Sequence, residues 1–174
     1  MNTKIFFPIA IGVTDGIITT LMLVSALIIH HLYIDISLAI RVAFGSAFVG
    51  TFSYFIAEYS SMRVQLSRES RHLNLSSPAY LLRSQPGRDI LKESVLYTSL
   101  TGICSFSGSF IPLIFEVLIP SNGYIAITVA VLALAMTGFV ISRSISGNPF
   151  FWITLMVFLG VIVSFIGNAL QLIG

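Results

Sequence analysis

FFPIAIGVTDGIITTLMLVSALII (residues 6–29) is an apolar run long enough for the ~20 residues that a bilayer demands, and a single acid, Asp15, breaks it. A second run, residues 38–62, has the same character, with Glu58 about one turn from its end. A carboxylate at membrane depth is costly, so it marks a cation, a proton relay or an ion partner. No Lys or Arg sits beside either acid within these runs to serve as that partner. In an antiparallel pair of spanning helices the two acids are expected at the same depth, which points to a cation path.

Composition sets the class. The chain of 174 residues is 56% hydrophobic and only 9% charged, with mean hydropathy +0.96. A soluble domain carries roughly 25% charged residues, so an all-α integral membrane protein is expected. Five runs reach spanning length: 6–29, 38–62, 95–119, 124–142 and 150–173. They use most of the chain, and a single domain over 1–174 is expected, with 63–94 as a helical cytoplasmic loop. A cleaved leader would need a stronger basic start than Lys4 and an uninterrupted apolar core, which Asp15 denies, so the first run reads as a spanning helix. The lone Cys104 cannot make an internal disulfide.

Basic residues orient the chain. With a cytoplasmic N-terminus, Lys4, Arg63, Arg68, Arg71, Arg83, Arg88, Lys92 and Arg143 all lie inside, and only Arg41 lies outside. Five spans then carry the C-terminus to the opposite side. The net charge of +2 is an orientation signal and makes no case for nucleic-acid binding.

Helical spacing sorts the polar residues into stripes. Asp15, Thr19 and Met22 share one face of the first helix, and Thr51, Tyr54, Glu58 and Met62 one face of the second, so the two faces are expected to meet. Tyr97, Thr101, Cys104 with Ser105, Gly108 and Pro112 mark a face of the third, and Met156, Gly160, Ser164, Asn168 and Gln171 one of the fifth. Small and hydroxyl residues of this kind pack membrane helices closely, and packing is the expectation for both faces. Gly12 and Gly16 form a small-xxx-small pair with the same meaning. The fourth helix is nearly featureless and is expected to face lipid.

With no Pro or Gly before Pro78, the second helix is expected to run on into the cytoplasm, aligning Glu58, Met62, Gln65, Glu69 and His72 as a ladder of possible metal ligands. The bland alternative is the wetted face of a protruding helix. Ser77-Pro78 reads as a helix start, and Gln85, Pro86 and Gly87 as a turn before the third spanning helix. Asp89 and Glu93 extend the stripe of Tyr97 and Thr101. The loop carries six basic and three acidic residues, a poor cation collector as a whole.

These residues resemble a known family. GVTDGIITT (12–20) and GTFSYFIAEYSSMRVQ (50–65) look like the first- and second-helix signatures of the vacuolar iron transporter family; GSFIPL (108–113), SRSISGNP (142–149) and GVIVSFIGNAL (160–170) resemble its later segments in order. The resemblance implies a five-helix homodimer that moves Fe²⁺ or Mn²⁺ out of the cytosol, with protons moving the other way. It places Asp15 and Glu58 on the metal path. Tyr54 stands where the family commonly has Met. The loop lacks the Glu-rich metal-gathering domain of plant members, and only Glu69 and Glu93 could stand in for it.

The chemistry also follows without the family. Two desolvated carboxylates are costly unless a cation or protons compensate them, so metal and protons compete for one site and exchange results. Oxygen ligands suit hard cations, while Met62 or Met22 nearby would favour transition metals. The expected metal-binding residues are Asp15, Glu58, Met62 and Glu69; Thr19, Met22, Tyr54, Gln65, His72, Glu93 and Tyr97 are expected to line the path. No cofactor is expected beyond the transported ion and its counter-protons. A compact chain with a short loop fits a prokaryotic plasma membrane better than a vacuolar one. The competing reading is a structural or assembly protein whose acids only hydrogen-bond between helices. An enzyme is not expected: there is no HExxH pair, GxSxG elbow or phosphate-binding glycine loop, and His30 and His31 read as interfacial.

Overall fold

Backbone N–H and C=O groups find no water in hydrocarbon, so a chain this apolar is driven to satisfy them within helices. The computed structural model describes residues 3–28, 35–72, 85–119, 123–145 and 147–169. It consists there of five helices: α1 (Thr3–Ile28), α2 (Ile36–His72), α3 (Gln85–Leu118), α4 (Gly123–Ile145) and α5 (Pro149–Ala169). All five are long and apolar enough to cross a membrane, and the chain is an all-α, multi-pass membrane protein.

The hub is α1, with α2 and α3 packed on one side of it and α4 and α5 on the other. Two apolar clusters hold this arrangement. Ile17 and Leu21 of α1 meet Ala130 and Leu134 of α4 and Met156 of α5. Toward the C-terminal end of α1, Val24 meets Ala39 and Ala43 of α2, Leu113 of α3 and Ala126 of α4. The fourth helix therefore buries one face, which its lack of polar residues did not announce, while Leu132 and Met136 on the rest of it stay largely exposed, as expected of a lipid-facing helix. Its small alanines, at positions 126 and 130, are what let it approach α1, and they carry no polar signal that a stripe search could find.

Close backbone approach is concentrated between α1 and α3. A methyl group added at Gly12 would strike the Thr101 carbonyl, one at Gly16 the Ser105 carbonyl, and one at Gly108 the Val13 backbone. The small-xxx-small pair thus serves packing, as read from the sequence. Hydroxyls follow the same rule: Ser109 donates to the Gly16 carbonyl at 3.2 Å, Thr101 to the Pro8 carbonyl at 3.3 Å, and Ser25 and Ser164 pair at 2.8 Å between α1 and α5. The last contact confirms a packing role for the Ser164 stripe; Gln171 lies outside the described residues.

Two boundaries differ from expectation. The second helix does run on to His72, but Gln85, Pro86 and Gly87 form the first turn of α3 rather than a turn ahead of it. Pro is tolerated there because the first N–H groups of a helix have no internal acceptor to lose. The Ser77-Pro78 helix start and His30 with His31 lie outside the described residues. Between α4 and α5, Asn148 caps the new helix, its side-chain oxygen accepting the Phe150 N–H at 3.1 Å, and Pro149 takes the first helical position.

Gly16→Leu should lower the melting temperature by several degrees, since it forces α1 from α3 at a backbone contact and overpacking costs ~1–3 kcal/mol. Gly45→Ala is the control: nothing lies within 4 Å of the added carbon, and a better helix former should leave the melting temperature unchanged or higher. Thermal unfolding in detergent, followed by the fluorescence of Trp152, measures both, and equal melting temperatures would contradict this packing.

Candidate functional site

Asp15 sits midway along α1, and its carboxylate abuts Gly50 of α2; a methyl group at Gly50 would collide with Oδ2. Glycine is required there to admit the acid between the helices. The Ser105 hydroxyl of α3 borders the same point, is wholly buried and has no other hydrogen-bond partner among the described residues. Next to Asp15, the Thr14 hydroxyl is also buried without a partner. Thr19 turns back onto the Asp15 carbonyl at 2.9 Å, the usual way for a hydroxyl on a membrane helix to satisfy itself.

Between α1 and α2 runs a groove of about 820 Å³. Asp15 and Thr19 line it from α1, and Ser46, Ser53, Tyr54 and Glu58 from α2. The two acids therefore share one cavity. They do not share one depth: Asp15 is level with Gly50, whereas Glu58 lies two turns farther along α2, about 12 Å of helix axis. Equal depth was inferred from the ends of the apolar runs, but the register is set by where glycines let backbones touch, and the runs do not show that.

Glu58 also borders a second cavity of about 560 Å³ at the end of the bundle that carries the α2–α3 connection. Met62 and Gln65 of α2 and Asp89, Glu93 and Tyr97 of α3 line it with Glu58. Phe7, Tyr54, Glu58 and Ser61 border both cavities, so the cleft passes into the groove beside Glu58. Two phenols hold the acids at this junction. Tyr97 donates to Glu93 Oε1 at 2.8 Å, and Tyr54 is hydrogen-bonded to Glu58 one turn along its own helix. Met62 is tied to α3, its sulfur accepting the Ser94 hydroxyl at 3.4 Å. At the outer rim Lys92 and Asp89 lie 4.0 Å apart, both well exposed.

Of the residues expected from the sequence, Asp15, Thr19, Tyr54, Glu58, Met62, Gln65, Glu93 and Tyr97 are brought to these two connected cavities. Met22 is not: its backbone carbonyl abuts Gly167 of α5, and its side chain points away from the groove lining, 37% exposed. Thr51 likewise turns from the groove to pack on Gly102 of α3. Both lie on the edge of their helical stripe, where a small rotation of the helix decides the neighbour. The side chains of Glu69 and His72 lie outside the described residues.

The structure gives a place beside the acids to two groups that the α3 stripe named only as part of a packing face or its extension, and adds a third that no stripe held. Asp89 joins the cleft because α3 starts at Gln85, nearly three turns ahead of the apolar run that begins at residue 95. Ser105 is the hydroxyl nearest the Asp15 position. Glu116, in the last turns of α3, is buried, and its Oε2 has no partner among the described residues. Its signal is as plain as that of Asp15, an acid inside an apolar run, yet no stripe named above includes it.

No three His, Cys, Asp or Glu side chains among the described residues converge closely enough to cage a metal ion. The acids are instead spaced along the cavities, with hydroxyls, a thioether and an amide between them. Comparison with protein-family models, with curated proteins and with solved structures gives no match. What fold and site define is thus a class: a helical membrane protein with a carboxylate-bearing cavity that enters the bundle from one end.

Gly50→Ala should push the Asp15 carboxylate out of its seat and into the groove while leaving the backbones in place, because the added carbon meets a side-chain end. Labelling of Asp15 by a hydrophobic carbodiimide, read by mass spectrometry, should rise several-fold with little change in melting temperature. Unchanged labelling would show that Gly50 does not seat the acid.

Proposed function

We propose that the chain is a divalent transition-metal transporter, exporting Fe²⁺ or Mn²⁺ from the cytosol in exchange for protons. The observation that carries the reading is the pair of adjoining cavities: the cleft of Glu58, Asp89 and Glu93 shares Tyr54, Glu58 and Ser61 with the groove that runs past Asp15. An ion that must leave again needs several weak, spaced sites rather than a closed cage, and partial dehydration between them is how a path conducts without trapping. The cleft supplies oxygen donors with Met62 beside them, a mixture that suits first-row transition metals better than Mg²⁺ or Ca²⁺. Removal of water at Asp15 makes metal and protons alternatives for the same carboxylate.

In this reading the end bearing the α2–α3 connection is cytoplasmic, as the eight-to-one split of basic residues favours. Metal enters at the cleft, where Glu58 and Glu93 exchange their phenol hydrogen bonds for the ion. It then passes along the groove to Asp15. The outer face of α2 carries Phe44, Phe48, Phe52 and Ile56, all more than half exposed, and a second copy of the chain laid against it would close the groove and double its acids. The resemblance to the vacuolar iron transporter family supports the ion, the homodimer and the proton exchange alike. A prokaryotic plasma membrane fits the compact chain.

In liposomes with a trapped pH dye, Asp15→Asn and Glu58→Gln should each reduce Mn²⁺ or Fe²⁺ flux at least ten-fold, because an amide keeps size and hydrogen bonding but cannot offset a divalent charge. The double variant should lose little more, since groups acting on one ion are not additive. Mn²⁺ should raise the melting temperature of the unaltered protein and do so less in either variant. Full flux in both single variants would leave the acids as helix-packing residues and the assembly reading in front.

A second measurement bears on selectivity. Tyr54→Met should move preference toward Fe²⁺ or Co²⁺ relative to Mn²⁺ by several-fold, because it puts a soft donor one turn from Glu58. An unaltered selectivity series in competitive uptake would show that position 54 does not touch the ion.

A further inference from the structure

Glu116 is the one buried acid that the proposed metal route does not use. It lies in the last turns of α3, at the end of the bundle opposite the α2–α3 connection, 5% exposed, with Oε2 lacking any partner among the described residues. One turn before it, Leu113 packs with Val24, Ala39, Ala43 and Ala126, so its setting is apolar on three sides. Of the titratable groups on the helices that pack against α3, Asp35 just ahead of α2, Arg41 on α2 and Tyr124 on α4 belong to the same end and are exposed, and Asp15 on α1 lies deeper in the bundle. On α3 itself the others are Arg88, Asp89, Lys92, Glu93, Tyr97 and Cys104, toward the connection end or midway. No ion pair links Glu116 to any described residue within 4.0 Å, Asp89 with Lys92 being the pair that the described residues form.

Glu116 also ends a stripe. Ser94, Thr98, Thr101, Ser105 and Ser109 recur on the buried face of α3 at helical spacing and continue through Pro112 to Glu116, and all are at least nine-tenths buried. From Ser94 to Glu116 the stripe is about 33 Å long, against ~30 Å for the hydrocarbon core of a bilayer. Ser94 donates to Met62, Thr101 to the Pro8 and Tyr97 carbonyls, and Ser109 pairs with Ser46 of α2 at 2.9 Å; Ser105 borders the Asp15 carboxylate, and the Thr98 hydroxyl has no partner among the described residues. Pro112 has no N–H, which leaves the Gly108 carbonyl without its helical donor in the gap between Ser109 and Glu116. Buried polar groups left open, as at Thr98, the Gly108 carbonyl and Glu116, are costly, and their place on a continuous polar stripe through a membrane helix is explained by a small, mobile guest that hydrogen-bonds in passing.

We propose that Glu116 is a proton-binding site entered from the end opposite the α2–α3 connection, and that the hydroxyl stripe of α3 relays protons between it and the interior of the bundle. The inference rests on the exchange reading above and assigns to the proton an entry of its own, from the opposite end, that meets the α1–α2 groove where Thr101 lines it and Ser105 borders Asp15. A lone carboxylate suits a proton and not a divalent ion, because one negative charge with no second acid, His or thioether beside it among the described residues cannot compensate two positive ones. In the step itself a Glu116 carboxylate oxygen takes a proton from a hydronium ion at that end, leaving water, and later gives it to a hydroxyl or water of the stripe that passes its own proton to the next oxygen in the same movement, so each O–H bond broken is matched by one formed.

Two measurements test this. In liposomes, Glu116→Gln should cut proton movement coupled to Mn²⁺ flux at least ten-fold, while the rise in melting temperature caused by Mn²⁺ persists. In infrared difference spectra recorded as pH is varied, the unaltered protein should show a carboxylic C=O band that is absent in Glu116→Gln and shifted in Glu116→Asp, the second variant serving where the amide does not fold. Unchanged coupling in a transporting Glu116→Gln protein, or titration spectra identical to those of the unaltered protein, would overturn the proposal. Should the unaltered protein move no metal at all, the exchange reading fails, and the infrared titration still decides whether Glu116 binds a proton.

Discussion

The arrangement of this protein depends on backbone-to-backbone contact between α1 and α3. Lipid tails are as apolar as leucine, so helices in a membrane gain little by hiding apolar side chains from their surroundings and associate where their surfaces fit closely. Gly12 and Gly16 press α1 onto the carbonyls of Thr101 and Ser105, and Gly108 receives the Val13 backbone in return. At that spacing the Ser109 hydroxyl reaches the Gly16 carbonyl across the interface. Everything else is placed by this pair: α2 lies against α3, the α4–α5 pair lies against α1, and Asp15 is carried to the height of Gly50 and Ser105.

A consequence is the unequal binding of α1 and α2. Both pack on α3, yet between each other they leave a groove that holds Asp15 and Glu58. Had a glycine contact joined α1 to α2 as closely as it joins α1 to α3, the acids would have been crushed together with no room for a hydrated ion. Polar groups therefore occur in two settings. Along the groove they face open space; along the buried face of α3 they face other helices, and several are left without partners. The first setting suits an ion that keeps part of its water shell, and the second suits nothing larger than water or a proton.

The phenol hydrogen bonds at the cleft show how carboxylates can be held in an apolar protein. Glu58 and Glu93 would be costly as bare carboxylates at the mouth of a bundle, and Tyr54 and Tyr97 each offer one donor from the same helix, one turn away. Such intrahelical pairs need no tertiary contact to form. They keep the acids from bonding to each other or collapsing onto a neighbour, so the cleft stays lined by oxygen.

Much was legible in the chain itself. Hydropathy gives five spanning helices because each must be ~20 apolar residues long, whatever it packs against. The stripe periodicity picked out eight residues of the two cavities, from Asp15 to Tyr97, because polar side chains on a membrane helix gather on the face that avoids lipid. The Gly12 and Gly16 pair announced a close contact for the same reason. What the chain could not show is which helix each face meets and at what height. Thr51 and Met22 sit on their expected stripes but turn to α3 and α5; α4, without a polar mark, still buries one face; and Glu58 lies two turns from the level of Asp15. Those outcomes depend on which glycines face which carbonyls across the bundle, a property of pairs of helices that no single helix records, and so the register of the site was decided only when the helices packed.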